Sequence, residues 1–362
     1  MALLATVRRE LRARYGNQFD ADENRMTRYG VLNAVMEDNA SPQTILDPDI
    51  VAKAMISEGT DLKIPVFNKG NVTLKNVRSC TIDPYQNTTA LVDVVWVTLV
   101  ADFDMIPAQY LNQQDRGGAF ETWQEAYSYN MNKKMVEVVR AFNQELEDTL
   151  FAFMDANKST VTNSSLVGAG AKYSEVGGVI QVPLADQPLF WNDAKVIMQQ
   201  DDFYGPWKVL GNTALQSSVN QYINQGGGNA ENTNFQFADY MFRFSNHITN
   251  GAGVNAAGFI YESGKIGMLN RVSADHLMGH RSNDAEWYTD SLAAWGLPAS
   301  IEVGVLEKSN CDDVSTATSN AALTASKHDY YQFSFDAAYL ISYNSDPLTQ
   351  PGVLKKFEFL NT

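Results

Sequence analysis

Residues 121–157, ETWQEAYSYNMNKKMVEVVRAFNQELEDTLFAFMDAN, decide the fold class of this chain. From position 119 to position 157 there is no glycine and no proline, the residues that most often end a helix. Apolar side chains recur every three or four positions, which places them on one stripe of a helix. A helix of this length, on the order of 55–60 Å, needs an equally long partner surface. The stripe consists of Phe120, Trp123, Tyr127, Met131, Met135, Val138, Val139, Phe142, Leu146, Leu150 and Phe153.

Two other roles of a long helix are disfavoured by the same segment. It contains no apolar run of about 18 residues, so it does not predict a membrane span. It also lacks a strict seven-residue apolar repeat, which disfavours a coiled coil. The stripe therefore predicts a helix that packs along the body of a globular protein.

The residues before this helix predict an extended β excursion. Residues 90–103 (ALVDVVWVTLVADF) are rich in β-branched side chains and predict one long strand. Residues 62–67 (LKIPVF) and 72–83 are two further strand candidates, separated by turn-forming residues. An isolated hairpin buries too little surface to be stable alone. The excursion is therefore predicted to lie on a neighbouring subunit.

Composition and charge narrow the possible classes of function. The 362 residues suffice for two ordinary domains, and a hydrophobic content of 44% indicates a packed protein and not a disordered one. The net charge of −15 opposes sequence-independent binding of nucleic-acid phosphates, which needs clustered basic residues. The two cysteines, Cys80 and Cys311, form no CxxC pair, so reduced cytoplasmic thiols are expected.

The N-terminal region is expected to form an arm. Its short apolar start precedes Arg8, Arg9 and Arg12, the reverse of the order in a signal peptide, so export is not expected. The first 45 or so residues contain polar, turn-rich segments such as Asp38-Asn39-Ala40. A short helix at 49–58 follows, with Asp47 as its N-cap and Gly59 as its stop.

The second half of the chain alternates between short helices and strands, which indicates an α+β fold and not repeated βαβ units. Its many aromatic residues are expected to pack in the core, with anchoring of subunit contacts as the alternative. The candidate helices lie at 191–200, 213–225 and 266–277. The candidate strands lie at 179–183, 207–210, 235–244, 257–263, 300–306, 330–343 and 353–359.

Candidate catalytic and metal-binding residues are scarce. His276 and His280 have the i, i+4 spacing of zinc-binding histidines on a helix. The glutamate that a metalloprotease carries between them is absent, and Gly279 weakens a helix there. The paired acids Asp201 and Asp202 indicate a solvated loop or helix end. The sequence therefore predicts a protein that is not an enzyme, with no catalytic residue, cofactor or metal.

The order of these segments resembles that of the major capsid proteins of tailed double-stranded DNA bacteriophages, which have the Hong Kong 97-type fold. LKIPVF at 62–67 resembles the strand that enters the extended loop, and residues 92–111 (VDVVWVTLVADFDMIPAQYL) resemble the returning strand. Residues 121–157 are similar to the spine helix of that family. Residues 193–213 resemble the opening of the axial domain, and residues 335–346 resemble the strand that returns to the peripheral domain.

The resemblance implies a division of the chain into five parts. An N-terminal arm and short helix would occupy 1–58, and an extended β-hairpin loop would occupy 59–110. A peripheral domain with the spine helix would follow at 111–185, and a mixed α/β axial domain at 186–334. Return strands of the peripheral domain would complete the chain at 335–362.

The resemblance also implies a function, which is that of a shell protein. The chain would self-assemble through pentamers and hexamers into an icosahedral head that encloses double-stranded DNA without sequence-specific binding. It would be located in the virion after assembly in the bacterial host cytoplasm, with scaffolding, portal and decoration proteins as partners and no membrane. The alternatives are an encapsulin-like nanocompartment shell, another phage structural protein of the tail or connector, and an enzyme with an unfamiliar site.

Some members of this family crosslink a lysine of the extended loop to an asparagine of a neighbouring subunit. Lys69 and Lys75 lie in the corresponding region of this chain, but no local motif identifies an acceptor. The candidate residues for contacts between subunits are Lys69, Lys75, Trp96, Arg8, Arg9 and Arg12.

Overall fold

The computed structural model describes residues 30–40, 44–45, 49, 51–53, 63–66, 90–105, 123–225, 240–248, 250–282, 285–311, 327–342 and 350–361. Within these ranges the fold is α+β, as predicted. Its α-helices with both ends described are α1 (Gly30–Asn39), α2 (Trp123–Ala156), α3 (Phe190–Gln200), α4 (Leu215–Gln225) and α5 (Ala274–Met278), and 3₁₀ helices lie at Leu184–Leu189 and Ala293–Trp295. Its strands are β1 (Lys63–Val66), β2 (Ala90–Asp93), β3 (Val97–Met105), β4 (Ser174–Val176), β5 (Val179–Val182), β6 (Trp207–Asn212), β7 (Tyr240–Ser245), β8 (Val254–Glu262), β9 (Ile266–Arg271), β10 (Ala285–Asp290), β11 (Val303–Cys311), β12 (Lys327–Ile341) and β13 (Lys355–Leu360).

Helix α2 is the predicted long helix, 34 residues from Trp123 to Ala156. Its apolar stripe packs in the main core, and Met131, Met135, Leu146 and Leu150 on it are fully buried. The opposing surface is β12, where Phe335 meets Phe142 edge to face with ring centroids 5.0 Å apart. The partner surface that the stripe requires is therefore a β-sheet of the same chain.

The described strands form three sheets. The first has the order β10-β11-β12-β3, and β9 pairs with the far end of β12, so this strand joins β3, β9 and β11. The second sheet has six strands in the order β4-β5-β13-β8-β6-β7. The third is the antiparallel pair β1-β2. The second sheet carries its own aromatic core around Phe190, Trp191, Trp207 and Phe357, as expected for the aromatic residues of this half.

Three expectations about secondary structure were wrong. The predicted strand at 90–103 is divided into β2 and β3 by an irregular segment at 94–96. The predicted helix at 266–277 is strand β9 followed by the five-residue helix α5. Ile266 and Met268 face the main core while Leu269 packs on the opposite side, so β9 is apolar on both faces and its spacing imitates a helix. Residues 30–39, expected within a polar arm, form helix α1.

Strand pairing also joins segments from different expected parts of the chain, whose bounds stay a prediction. β10 and β11 come from the expected axial range but join β12 and β3 in the first sheet. β13 comes from the expected peripheral return but lies between β5 and β8 in the six-stranded sheet. The strand candidate at 72–83 lies outside the described residues. Of the candidate helix at 49–58, residues 49 and 51–53 are described and are helical.

Candidate assembly surface and its anchors

The β1-β2 ribbon is the feature that most needs a partner. Its four-residue strands pair from Lys63 with Asp93 to Val66 with Ala90, and among the described residues neither strand pairs with the other sheets. The ion pair between Lys63 and Asp93, 3.3 Å apart, is largely exposed and adds little stability. A ribbon of two short strands buries too little apolar surface to be stable without further contacts.

The root of the ribbon is fixed to the body at residues 94–96. The guanidinium of Arg271 lies 4.1 Å from the centroid of the Trp96 ring, and its Nε donates to Oδ2 of Asp336 at 2.8 Å. Oδ1 of the same carboxylate accepts a hydrogen bond from Thr98 Oγ1 at 2.7 Å. Val94 is buried in a small cluster with Leu269, Ala338 and Leu340. The place where the chain leaves the ribbon is thus held by β9 and β12.

Near the ribbon root, two apolar side chains are exposed to solvent in the part of the chain that the structure describes. Val95 is 75% exposed and Val100, on β3, is 55% exposed. The other exposed residues on this face of β3 include Asp102 and Asp104. The surface beside the root is therefore partly apolar and partly acidic.

Helix α1 is anchored at its start by a carboxylate of the long helix. Oε1 of Glu147 accepts hydrogen bonds from the backbone N–H groups of Val31 and Leu32 at 3.2 and 3.3 Å. Its Oε2 accepts a hydrogen bond from the Ser245 hydroxyl at 2.5 Å. These donors satisfy N–H groups that every helix leaves unpaired in its first turn. Burial nevertheless raises the pKa of Glu147, because desolvation outweighs these favourable contacts.

The end of α1 is anchored by a second buried carboxylate, Asp38. It lies 2.9 Å from the ammonium group of Lys208, and both side chains are nearly inaccessible, at 0% and 3% exposed. The hydroxyls of Tyr261 and Ser263 and the N–H of Gly264 donate to it at 2.8–2.9 Å. These four donors around Asp38 connect α1 to β6, to β8 and to the β8-β9 turn. This site was not predicted, because Asp38 was expected in a polar turn. The apolar spacing of residues 31, 32, 34 and 35 was the signal in the sequence that indicated a helix here.

A third buried charge corrects the expectation for the paired acids. Asp201 is not solvated: its side chain is fully buried, and Oδ2 lies 2.8 Å from Nζ of Lys355 on β13. Asp202 is exposed and adopts a positive φ of 68°, as a helix end permits. Burial lowers the pKa of Lys355, although the charge of Asp201 opposes this effect.

Of the six candidate contact residues, one lies within the part of the chain that the structure describes. Trp96 lies at the ribbon root, and its buried indole Nε1 has no hydrogen-bond partner among the described residues. Its contact with another subunit stays a prediction. Lys69, Lys75, Arg8, Arg9 and Arg12 lie outside the described residues, and their contacts stay predictions as well.

The histidine pair does not have the geometry that its spacing suggested. Helix α5 ends at Met278, and Gly279 is in the left-handed conformation with φ of 66°. His276 packs against Gly304 and its Nδ1 is 2.6 Å from Ser273 Oγ, whereas His280 lies beside Trp287. Among the described residues no group of three or more His, Cys, Asp or Glu side chains could hold a metal ion. No described helix is long and apolar enough to cross a membrane.

Comparison with known proteins identifies similar structures but no similar sequences. No family model and no curated protein matches this chain. Mycobacterium phage Che8 matches with a TM-score of 0.44 and 9% identity over 88% of this chain and 89% of that chain. The capsid of Ralstonia phage GP4 matches with a TM-score of 0.41 and 9% identity over 84% of this chain and 83% of that chain. The capsid of cyanophage P-SCSP1u matches with a TM-score of 0.38 and 10% identity over 83% of each chain.

Proposed function

We propose that this chain is the major capsid protein of a tailed bacteriophage, a structural subunit of the icosahedral head and not an enzyme. The observation that carries the proposal is the β1-β2 ribbon, which precedes a long core helix and forms a sheet separate from the body. The ribbon needs a covering surface, and in a shell a neighbouring subunit supplies it.

The anchors of the body support this proposal. Residues 94–96 hold the ribbon root on β9 and β12, and the buried carboxylates Glu147 and Asp38 hold α1 in the core. The segments before α1 and beyond the ribbon strands therefore start from fixed points. Rigid starting points are what a repeated contact between identical subunits requires, because each copy must reach its neighbour in the same direction.

In this proposal the fold corresponds to the Hong Kong 97 type. Helix α2 is the spine, and with the β10-β11-β12-β3 sheet it forms the peripheral domain. The six-stranded sheet forms the axial domain, so β13 belongs to the axial domain and not to the peripheral return expected from the sequence. The head would form in the host cytoplasm, with scaffolding, portal and decoration proteins as further partners.

The acidic balance suits a container for DNA. A net charge of −15 disfavours adhesion of the subunit to phosphates, so the enclosed double-stranded DNA would be held without sequence-specific binding. Contacts between subunits would then rest on buried apolar surface and strand pairing, which are less sensitive to charge.

Residues 67–89, which connect the two ribbon strands, can be removed without touching the ribbon pairing or the core. Val66 and Ala90 are directly opposite each other, so residues 67–89 can be replaced by Asn-Gly, which closes a two-residue hairpin turn. We expect this variant to keep the circular dichroism and urea midpoint of the wild-type subunit but to form no closed shells in electron micrographs. A variant in which a glycine-serine segment of equal length replaces 67–89 separates the effect of length from that of side chains. Closed shells of normal size from the hairpin variant would contradict the proposal.

A further inference from the structure

Lys355 and Asp201 form a buried ion pair between β13 and the end of α3. Nζ of Lys355 lies 2.8 Å from Oδ2 of Asp201, and the two side chains are 3% and 0% exposed. A buried ion pair of this kind is costly to desolvate and is often replaced by apolar residues without loss of stability. Its presence deep between β13 and the end of α3 therefore invites a chemical explanation in addition to a structural one.

The carboxyl group of Asp201 is held in one orientation. The backbone N–H of Asn163 donates to Oδ1 at 2.6 Å, and the hydroxyl of Thr162 donates to Oδ2 at 3.0 Å. A backbone donor on one carboxyl oxygen is the arrangement that stabilises negative charge on that oxygen in a tetrahedral intermediate. The amine is oriented too, because Nζ of Lys355 also donates to the carbonyl of Val161.

A third ionisable group lies on the same face of the sheet. Glu175 on β4 is opposite Ile180 on β5, which is the partner of Phe357, two residues after Lys355 on β13. Side chains two residues apart on a strand share one face. Burial raises the pKa of Glu175, the charge of Asp201 raises it further, and the charge of Lys355 lowers it. The charges of Glu175 and of the pair therefore influence each other.

We propose that Lys355 and Asp201 condense to form an intramolecular isopeptide bond. The ammonium group gives one proton to Oδ2 of Asp201, 2.8 Å away, and the resulting amine attacks Cγ while the Asn163 N–H stabilises charge on Oδ1. Oδ2 then takes a second proton from the nitrogen, and the Cγ–Oδ2 bond breaks to release one water. The ammonium and the carboxylate become an amide and water, so no oxidant or other reactant is needed.

The bond would have a defined structural effect. It would join strand β13 to the end of α3 and close residues 201–355 into a covalent ring. A crosslink acts mainly by reducing the freedom of the unfolded chain, so the ring would raise the stability of the six-stranded sheet. This inference does not rest on the proposed shell function, and either can fail without the other.

The test is the mass of the intact, denatured full-length protein. We expect the wild-type chain to be lighter by one water than its sequence mass, and Lys355→Arg, which keeps the charge but not the primary amine, to have its full sequence mass. Protease digestion of the wild type should release one branched peptide that contains both Lys355 and Asp201. A wild-type chain of full sequence mass would overturn the proposal, as would a mass lowered by one water in Lys355→Arg.

Asp201→Asn is a further check, since condensation of an amide releases ammonia in place of water and leads to the same branched peptide.

Discussion

Removal of the Asp38 carboxylate should greatly destabilise the subunit. Asp38→Ala leaves the ammonium of Lys208 buried at 3% exposure, with Glu37 at 3.6 Å as its remaining carboxylate among the described residues. It also takes the acceptor from Tyr261, Ser263 and Gly264. Breaking a buried ion pair by loss of one partner costs about 3–5 kcal/mol. Each buried donor that loses its acceptor adds about 1–3 kcal/mol unless water reaches it.

The matched control is Glu37→Ala, one position earlier on the same helix. Its carboxylate is 38% exposed and pairs with Arg243 and with the outer side of Lys208. Because exposed pairs contribute only about 0–1 kcal/mol, this control should cost less than about 1 kcal/mol. The two substitutions are at adjacent positions, but only Asp38→Ala removes the buried carboxylate that compensates the charge of Lys208.

Urea unfolding of the unassembled subunit, followed by tryptophan fluorescence, measures the difference. With a slope of about 3 kcal/mol per M or somewhat more for a chain of this size, the ion-pair loss of about 3–5 kcal/mol alone lowers the midpoint by on the order of 1 M, and the orphaned donors lower it further. Glu37→Ala should lower it by a few tenths of that amount. Equal midpoints for the two variants would refute the assignment of Asp38 as the anchor of α1.

Three further predictions concern packing and protonation. Gly304→Ala places a methyl group within 2.7–2.9 Å of the His276 ring and should lower the free energy of unfolding in urea by about 1–3 kcal/mol. Its control is Gly251→Ala, whose nearest contact is at 3.7 Å and which should change the midpoint little. Equal effects of the two variants would contradict the packing of His276 against Gly304. Phe142→Ala removes a fully packed ring from the long helix and should cost about 3–5 kcal/mol, and a loss under 1 kcal/mol would contradict burial of the stripe. Because burial raises the pKa of Glu147, the folded state holds the carboxyl proton to higher pH than the unfolded chain does. The stability of the wild type relative to Glu147→Gln should therefore fall as pH rises above about 4.5 and through the raised pKa. A stability difference that rises over that range would contradict the burial of Glu147.

The sequence predicted the elements that depend on local pattern. The long helix followed from 34 positions without a breaker and with a continuous apolar stripe, and this information is contained in the segment itself. The ribbon strand at 63–66 and the strand β12 were predicted for the same reason, since short β-branched and aromatic runs rarely form anything else.

The features that the sequence did not predict depend on distant partners. β9 reads as helical because strand burial on both faces removes the alternation that marks a strand. Asp38 was expected in a polar turn and Asp201 in a solvated loop or helix end, because their partners, Lys208 and Lys355, are more than 150 positions away in the sequence. A buried charge is stable only when a partner compensates it, and the position of that partner is a property of the fold.

The central claim is most directly tested by electron microscopy of the purified full-length protein after size-exclusion chromatography. We expect closed icosahedral shells, or pentamers and hexamers of the 40.1 kDa subunit. Particles taken from infected cells should contain double-stranded DNA. Shells that hold protein cargo and no nucleic acid would indicate a nanocompartment. Rings or tubes would indicate a connector or tail protein. A monodisperse monomer or dimer at every concentration would contradict the claim that the β1-β2 ribbon is built to lie on a neighbouring subunit.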